Sequence, residues 1–318
     1  MSSNDLRATT WDDFIGQNQA VKSINIAITA ARNRKQILEH ILLYGPPGLG
    51  KTTLAHLVAQ TLGVSIKISS GPSLTRIGDL ASILTQLETG DVLFIDEIHR
   101  LNKAVEETLY PVMEDYCLDM IVGKGPGARS VRIDLNHFTL IGATTKAGMI
   151  SAPLRDRFGL VHRLKYYEEK DLATIVTTAA KKLSLNIDHD SALEIAKRSR
   201  GTARIALKLL RRVIDFAEVE HSQKPTAEIT KKALEFYQVD ELGLDETDRR
   251  LLTAIITDHN GGPVGLETLA ALVSEDINTI TDVYEPFLMQ SGFLARTPRG
   301  RTATPKAYRH LGLSPKVG

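Results

Sequence analysis

Gly45-Pro46-Pro47-Gly48-Leu49-Gly50-Lys51-Thr52 stands between an apolar run, Ile41-Leu42-Leu43-Tyr44, and the helix-patterned Thr53-Leu54-Ala55-His56-Leu57-Val58-Ala59. The order is strand, glycine-rich loop, helix. A loop of this kind curls its backbone N–H groups around phosphate oxygens, extends Lys51 to the β and γ phosphates, and offers the Thr52 hydroxyl to Mg²⁺. The stretch therefore predicts a nucleoside triphosphate site, most simply ATP with Mg²⁺, on a parallel α/β sheet.

A second stretch supports the first. Asp91-Val92-Leu93-Phe94-Ile95-Asp96-Glu97-Ile98-His99 is apolar until it turns abruptly acidic, as a buried parallel strand does when it ends at a catalytic edge. Asp96 is placed to hold Mg²⁺ together with Thr52, and Glu97 to polarise the water that attacks the γ-phosphate. Read without the glycine loop, the same carboxylates could simply cap the next helix. Phe138-Thr139-Leu140-Ile141-Gly142-Ala143-Thr144-Thr145 is another buried strand ending in hydroxyls, and Thr145 at its tip could orient that water.

Around these strands, Val21, Ile24, Ile28 and Ala31 predict a helix before the loop. Helices are expected at 51–62 and 101–114, and Val64-Ser65-Ile66-Lys67-Ile68 as a strand broken by Gly71-Pro72-Ser73. Residues 116–135 alternate on both sides of Gly123-Lys124-Gly125-Pro126-Gly127, which signals a β-hairpin. Leu118, Met120 and Val122 share one face, as do Val131, Ile133 and Leu135; that face either packs on the domain's own core or serves as a partner-binding arm. Arg155 and Arg157 flank Asp156 just before the strand-like 160–164. Either arginine could form a surface ion pair, or reach a neighbouring subunit's γ-phosphate and make hydrolysis depend on assembly.

From Glu168 the pattern becomes helical only, at 168–184, 190–199, 202–220 and 226–237, with a break at Gly201. Arg204 falls in the first turn of an amphipathic helix, where it could report the nucleotide's state. Residues 244–318 predict helices at 245–257, 265–273 and 276–290, then two short strands about Thr297-Pro298-Arg299-Gly300. Helices followed by a basic hairpin describe a winged-helix module. No acidic residue follows Glu285, whereas Arg296, Arg299, Arg301, Lys306, Arg309 and Lys316 do, so this end suits duplex phosphates better than a merely solvated surface.

The chain of 318 residues is long enough for two or three cores, and 42% hydrophobic with 24% charged residues is ordinary for a water-exposed globular protein. One cysteine, Cys117, allows no internal disulfide. With no apolar run of membrane-spanning length and no leader-like start, a cytoplasmic protein without a membrane partner is expected.

Tyr110-Pro111-Val112-Met113-Glu114-Asp115-Tyr116, Leu140–Thr145, Leu154–Gly159, Asp282–Leu288 and Thr297–Arg301, together with the two nucleotide motifs, resemble the RuvB family of AAA+ ATPases, bacterial Holliday junction branch-migration motors. The resemblance covers residues 11 to 313. It implies an AAA+ P-loop domain over 1–166, a small helical lid over 167–240 and a winged helix over 241–318. It further implies that Leu6, Arg7, Ile15 and Tyr167 lie near the adenine and that Gly48, Gly50, Lys51, Thr52 and Thr53 hold phosphates. Thr145 then corresponds to sensor 1, Arg204 to the sensor-2 arginine, and Arg157 to a trans-acting finger beside Glu114, Asp115 and Tyr116, which face a neighbour's nucleotide. The hairpin resembles the arm that grips RuvA, and Arg296, Arg299 and Arg301 the DNA-contacting wing. Partners implied are duplex DNA in a Holliday junction, RuvA, five further copies in a hexamer, and the RuvC resolvase as an additional candidate. Ala8, Lys146 and Ala203 depart from the family's usual proline, arginine and proline; losing a proline in a helix's first turn loosens that start without removing Arg204.

The expected activity is ATP hydrolysis driving duplex arms through a junction. A clamp-loader-like assembly switch and a nucleotide-regulated winged-helix transcription factor are the rival readings. The direct duplex contact of a basic wing argues against the first. The scarcity of base-reading arginines on helix 276–290 argues against the second.

Overall fold

The computed structural model describes residues 6–122, 129–220 and 225–314. Two compact units divide the chain. The first runs up to Ser184 and takes in Gly201–Leu207; the second joins Leu185–Arg200 to the residues from Lys208 onward.

The first unit is built on five parallel strands, β1 (Ile41–Tyr44), β2 (Ile66–Ser70), β3 (Val92–Asp96), β6 (Thr139–Thr144) and β7 (Leu160–Arg163), in the order β2-β3-β6-β1-β7. Both faces are covered by helices α1 (Asn18–Arg34), α2 (Lys51–Leu62), α3 (Ile77–Leu84), α4 (Lys103–Glu114), α5 (Ala152–Arg155) and α6 (Glu169–Lys182). That is why β1, β3 and β6 read as continuous apolar runs rather than alternating ones. Leu93, Ile95, Leu109, Val112, Leu140 and Leu154 form a core closed by Phe138 and Phe158.

β2 begins two residues later than the sequence suggested, because its register is set by pairing Ile66 with Val92 and Ser70 with Asp96. Helix α4 likewise starts late. Leu101 ends the preceding turn, and the Asn102 side chain caps the helix by accepting from the Val105 N–H at 3.0 Å.

The hairpin consists of β4 (Cys117–Val122) and β5 (Arg129–Asp134), with Leu118 opposite Ile133 and Met120 opposite Val131. Its base belongs to the domain core, where Leu118 and Leu135 are buried. Its outer part is not so covered, since Val131 is 42% exposed. The face is thus covered as far as Met120 and Ile133, which pack against the core, and open at Val131. The turn at 123–127 and the side chain of Val122 lie outside the described residues, as do Met1–Asp5 and Lys316.

The second unit contains α7 (His189–Lys197), the remainder of α8 (Ala203–Val219), α9 (Ala227–Phe236), α10 (Glu246–Thr257), α11 (Leu266–Val273), α12 (Ile277–Thr279), α13 (Glu285–Gln290), the ribbon β8 (Leu294–Thr297) with β9 (Gly300–Ala303), and α14 (Pro305–Leu311). Leu251, Leu252, Ile255, Leu269, Leu288 and Phe293 make its core. The single helix expected over 276–290 is interrupted by a π-helical stretch at Ile280–Tyr284. Pro286 supplies the cause: it has no N–H to donate and its ring crowds the carbonyl one turn back, so the helix widens before it.

Candidate nucleotide site and its surroundings

The glycine loop follows β1 at the carboxyl edge of the sheet, and Gly45 donates its N–H to the Thr144 carbonyl at 3.1 Å. Two glycines are sterically required. Gly48 has φ +80° and a Cβ there would lie 2.9 Å from the Cβ of Arg204; Gly50 has φ +96° and a Cβ there would strike the ring of Phe14. Lys51 heads α2 and is buried, donating to the Gly45 carbonyl at 2.7 Å and the Pro46 carbonyl at 2.9 Å. Burial pushes its pKa down to about 8, against the opposing pull of Asp96 and Glu97; the nearby Arg204 charge adds to the depression.

Asp96 ends β3 and accepts the Glu97 N–H at 2.9 Å. Glu97 itself has left-handed backbone, φ 50° and ψ 40°, which turns the chain sharply and leaves its carboxylate partly exposed. Thr144 is fully buried at the end of β6, and Thr145 follows half-buried. Glycine loop, carboxylate pair and threonine thus lie at one edge of adjacent strands.

The residues expected near the adenine are placed as follows. Tyr167 is buried, its hydroxyl donates to the Leu49 carbonyl at 3.1 Å, and burial pushes its pKa up to about 12. Its ring lies against Gly16, next to Ile15. Gln17 fixes this turn by a two-way bond with Lys165, donating to its carbonyl at 2.6 Å and accepting its N–H at 3.1 Å. Leu6 is buried, and the Arg7 carbonyl accepts from Lys182 at 2.8 Å. The Arg7 charge also acts on His56 of α2, whose pKa is lowered chiefly by burial.

Arg204 joins this site through its backbone, donating to the Gly48 carbonyl at 3.3 Å, while Tyr167 donates to the Gly201 carbonyl at 2.9 Å. These bonds tie Gly201–Leu207 to the first unit, which also takes in the expected lid's residues up to Ser184, whereas Leu185–Arg200 and the residues from Lys208 belong to the second.

Arg157 lies elsewhere. Leu160 at the start of β7 donates to the His40 carbonyl at the start of β1, so Arg157, three residues earlier, sits at the amino edge of the sheet. There its guanidinium lies over the Tyr110 ring at 4.5 Å, donates to the Pro153 carbonyl at 2.7 Å and pairs with Glu114 at 3.0 Å. Glu114 ends α4, whose twelve residues carry the chain about 17 Å back from the Asp96 edge. Glu114 and Asp115 are exposed, and Tyr116 stacks on His137 with centroids 4.0 Å apart. Tyr110, which anchors the arginine, carried no signal of that role in the sequence.

The wing is divided as well. Arg296 and Arg299 are exposed, but Arg301 makes a two-pronged pair with buried Glu285, at 3.2 and 2.9 Å. The expectation that Arg301 belongs with the DNA-contacting residues meets a competing commitment: its charge is neutralised inside the unit.

The oxygen donors offered at the nucleotide edge, the Thr52 hydroxyl and Asp96 carboxylate, are the hard type that suits Mg²⁺. Among the described residues no group of three or more His, Cys, Asp or Glu side chains forms a metal cage by itself. A magnesium ion here would share its coordination with nucleotide phosphates.

Family models match in succession along the chain: a Holliday junction DNA helicase RuvB P-loop domain over residues 6–164, a RuvB AAA lid domain over 167–240, and a RuvB C-terminal winged helix domain over 241–312. Among solved structures, the Thermotoga maritima RuvB Holliday junction branch migration motor is 49% identical, with a TM-score of 0.88 over 98% of this chain and 99% of that one. An alanine-to-serine variant of it matches at 49% identity and a TM-score of 0.89, covering 97% and 99%. With the nucleotide edge, lid and winged helix all accounted for in order, the chain belongs to the RuvB family of P-loop ATPases.

Proposed function

We propose that this protein is an ATP-driven motor of Holliday junction branch migration, working as a hexameric ring in the cytoplasm and pulling duplex arms through a RuvA-bound junction. The observation that carries the reading is the placement of Arg157 at the sheet edge opposite Lys51. An arginine so placed cannot serve its own phosphate loop, yet it is presented beside Glu114, Asp115 and Tyr116 on the face a neighbour would meet. Hydrolysis then requires assembly.

The division of labour follows from the residues. Leu6, Arg7, Ile15 and Tyr167 hold the base; Gly48, Gly50, Lys51, Thr52 and Thr53 hold phosphates. Mg²⁺, when bound at Thr52 and Asp96, supplies charge neutralisation for the transferred phosphoryl group. Glu97 accepts the proton of the attacking water, Thr145 orients that water, and the neighbour's Arg157 stabilises transition-state charge. Arg204, bonded to the phosphate loop, carries the change of nucleotide state into α8.

We assign the domains to 1–166, 167–240 and 241–318. The hairpin face exposed at Val131 is the surface for RuvA, and RuvC is a further partner of the assembly. Arg296 and Arg299 contact duplex phosphates, while Arg301 braces the wing through Glu285. Asp276 and Asp282 are exposed on the helix that a sequence-reading winged helix would insert, and their charge opposes entry into a groove. This favours the motor over a transcription switch.

The test is dissociation of a synthetic four-way junction with and without RuvA, comparing wild type with Glu97→Gln. Dissociation should require ATP and Glu97 and be accelerated by RuvA. An intact junction under both conditions, with ATP still hydrolysed, would remove the motor assignment.

A further inference from the structure

Two residues beyond Glu97 lies a histidine that the reaction scheme above does not use. His99 sits on the short 3₁₀ turn Ile98–Arg100, and its side chain is only 3% exposed. Its Nδ1 is 2.9 Å from the Thr144 Oγ1, and its Nε2 is 3.5 Å from the Glu97 Oε2. The Thr144 Oγ1 also accepts the Lys146 N–H at 2.9 Å. Glutamate, imidazole, threonine and the chain just past Thr145 therefore form a continuous polar path.

For a neutral imidazole, the contacts select one direction of hydrogen bonding. If Nδ1 carried the proton, the lone pair of Nε2 would face the Glu97 carboxylate, an unfavourable encounter of two acceptors. With the Thr144 hydroxyl donating to Nδ1, the Nε2–H points toward the carboxylate and every group is complementary. At 3.5 Å the last link is longer than an ordinary hydrogen bond, so it restrains the carboxylate electrostatically and leaves it able to turn. Thr144 is in turn anchored to the phosphate loop, since its carbonyl accepts the Gly45 N–H. The left-handed backbone of Glu97 folds the chain back, and Gly71, where any Cβ would collide with the Glu97 carbonyl, lets a neighbouring turn pack directly on it.

We propose that His99 is a positioning residue for hydrolysis, holding the Glu97 carboxylate in register with the Thr144–Thr145 strand end and with the phosphate loop. It does not touch the nucleotide. The proposal rests on Glu97 being the group that activates water, so the experiment tests both separately.

Steady-state ATPase of the full chain with duplex DNA should be measured for Glu97→Gln, His99→Ala, His99→Gln, His99→Asn, Thr144→Val and the double variant His99→Ala/Thr144→Val. Glu97→Gln should abolish turnover; if it does not, the role of Glu97 is wrong whatever His99 does. With Glu97 essential, His99→Ala should lower kcat about tenfold while KM for ATP changes less than about twofold. Thr144→Val should give part of that loss, and the double variant should be no worse than His99→Ala, because both act through one link. His99→Gln, whose amide reaches the place of Nε2, should keep more activity than His99→Asn, whose amide reaches only Thr144. That contrast remains readable if the alanine variant fails to fold. An unchanged kcat, a matching rise in KM, additive losses, or equal rates for the glutamine and asparagine variants would each overturn the proposal.

Discussion

Lys51 should make nucleotide binding take up a proton above neutral pH. In the free protein its pKa stands at about 8, burial being the main cause. Relative to an ordinary lysine near 10.5, keeping it charged at pH 7 costs the fold about 3 kcal/mol. The sign follows from the depressed value: the cost is absent above pH 10.5, where Lys51 is neutral in both states, grows as pH falls, and is complete below about 8. A phosphate beside the ammonium restores the charged form, so binding must supply whatever proton the free site lacks. Uptake should be about a quarter of a proton at pH 7.5, about half at pH 8 and about nine tenths at pH 9, and affinity should fall about tenfold per pH unit beyond 8. Calorimetric titration of ADP in two buffers of different ionisation enthalpy reads the uptake directly. Lys51→Arg, which stays charged throughout, should abolish it. Uptake near zero across this range would refute the account of the site, and uptake persisting in Lys51→Arg would assign it to another group.

Three further outcomes follow from particular contacts. Arg200 pairs with Asp248 at 2.5 Å and Asp245 at 2.8 Å and lies over the Phe287 ring at 4.6 Å, with Asp248 fully buried. Arg200→Ala should cost the second unit about 3–5 kcal/mol, and Arg200→Met/Asp248→Leu should recover most of it, read by hydrogen exchange across α10; equal losses would contradict a buried-charge origin. Val131→Ser should weaken RuvA binding, with less than about 1 kcal/mol lost in denaturation, whereas Leu118→Ala at the buried base should cost about 2–5 kcal/mol. An equal mixture of Lys51→Ala and Arg157→Ala subunits should regain about a quarter of the ATPase sites if the arginine acts across subunits with random assembly; no recovery at any ratio would sink that assignment.

The sequence by itself determined what depends on neighbours along the chain. A glycine loop between an apolar run and a helix specifies backbone curvature locally, an apolar strand turning acidic marks a sheet edge, and alternation about a turn specifies a hairpin. Those patterns singled out Lys51, Thr52, Asp96 and Glu97 because the candidate residues are adjacent to the residues that set the backbone. Boundaries drifted where a partner strand set the register, as at β2, or where an internal proline widened a helix, as before Pro286. Only the tertiary structure decided which distant groups meet: Arg157 with Tyr110 and Glu114, Arg204 with Gly48, His99 with Thr144, and Arg301 with Glu285 rather than with solvent. Such pairings leave no spacing in the sequence, since they arise from how separate strands and helices are stacked. A charged side chain's partner, and therefore its task, is fixed only when that packing closes around it.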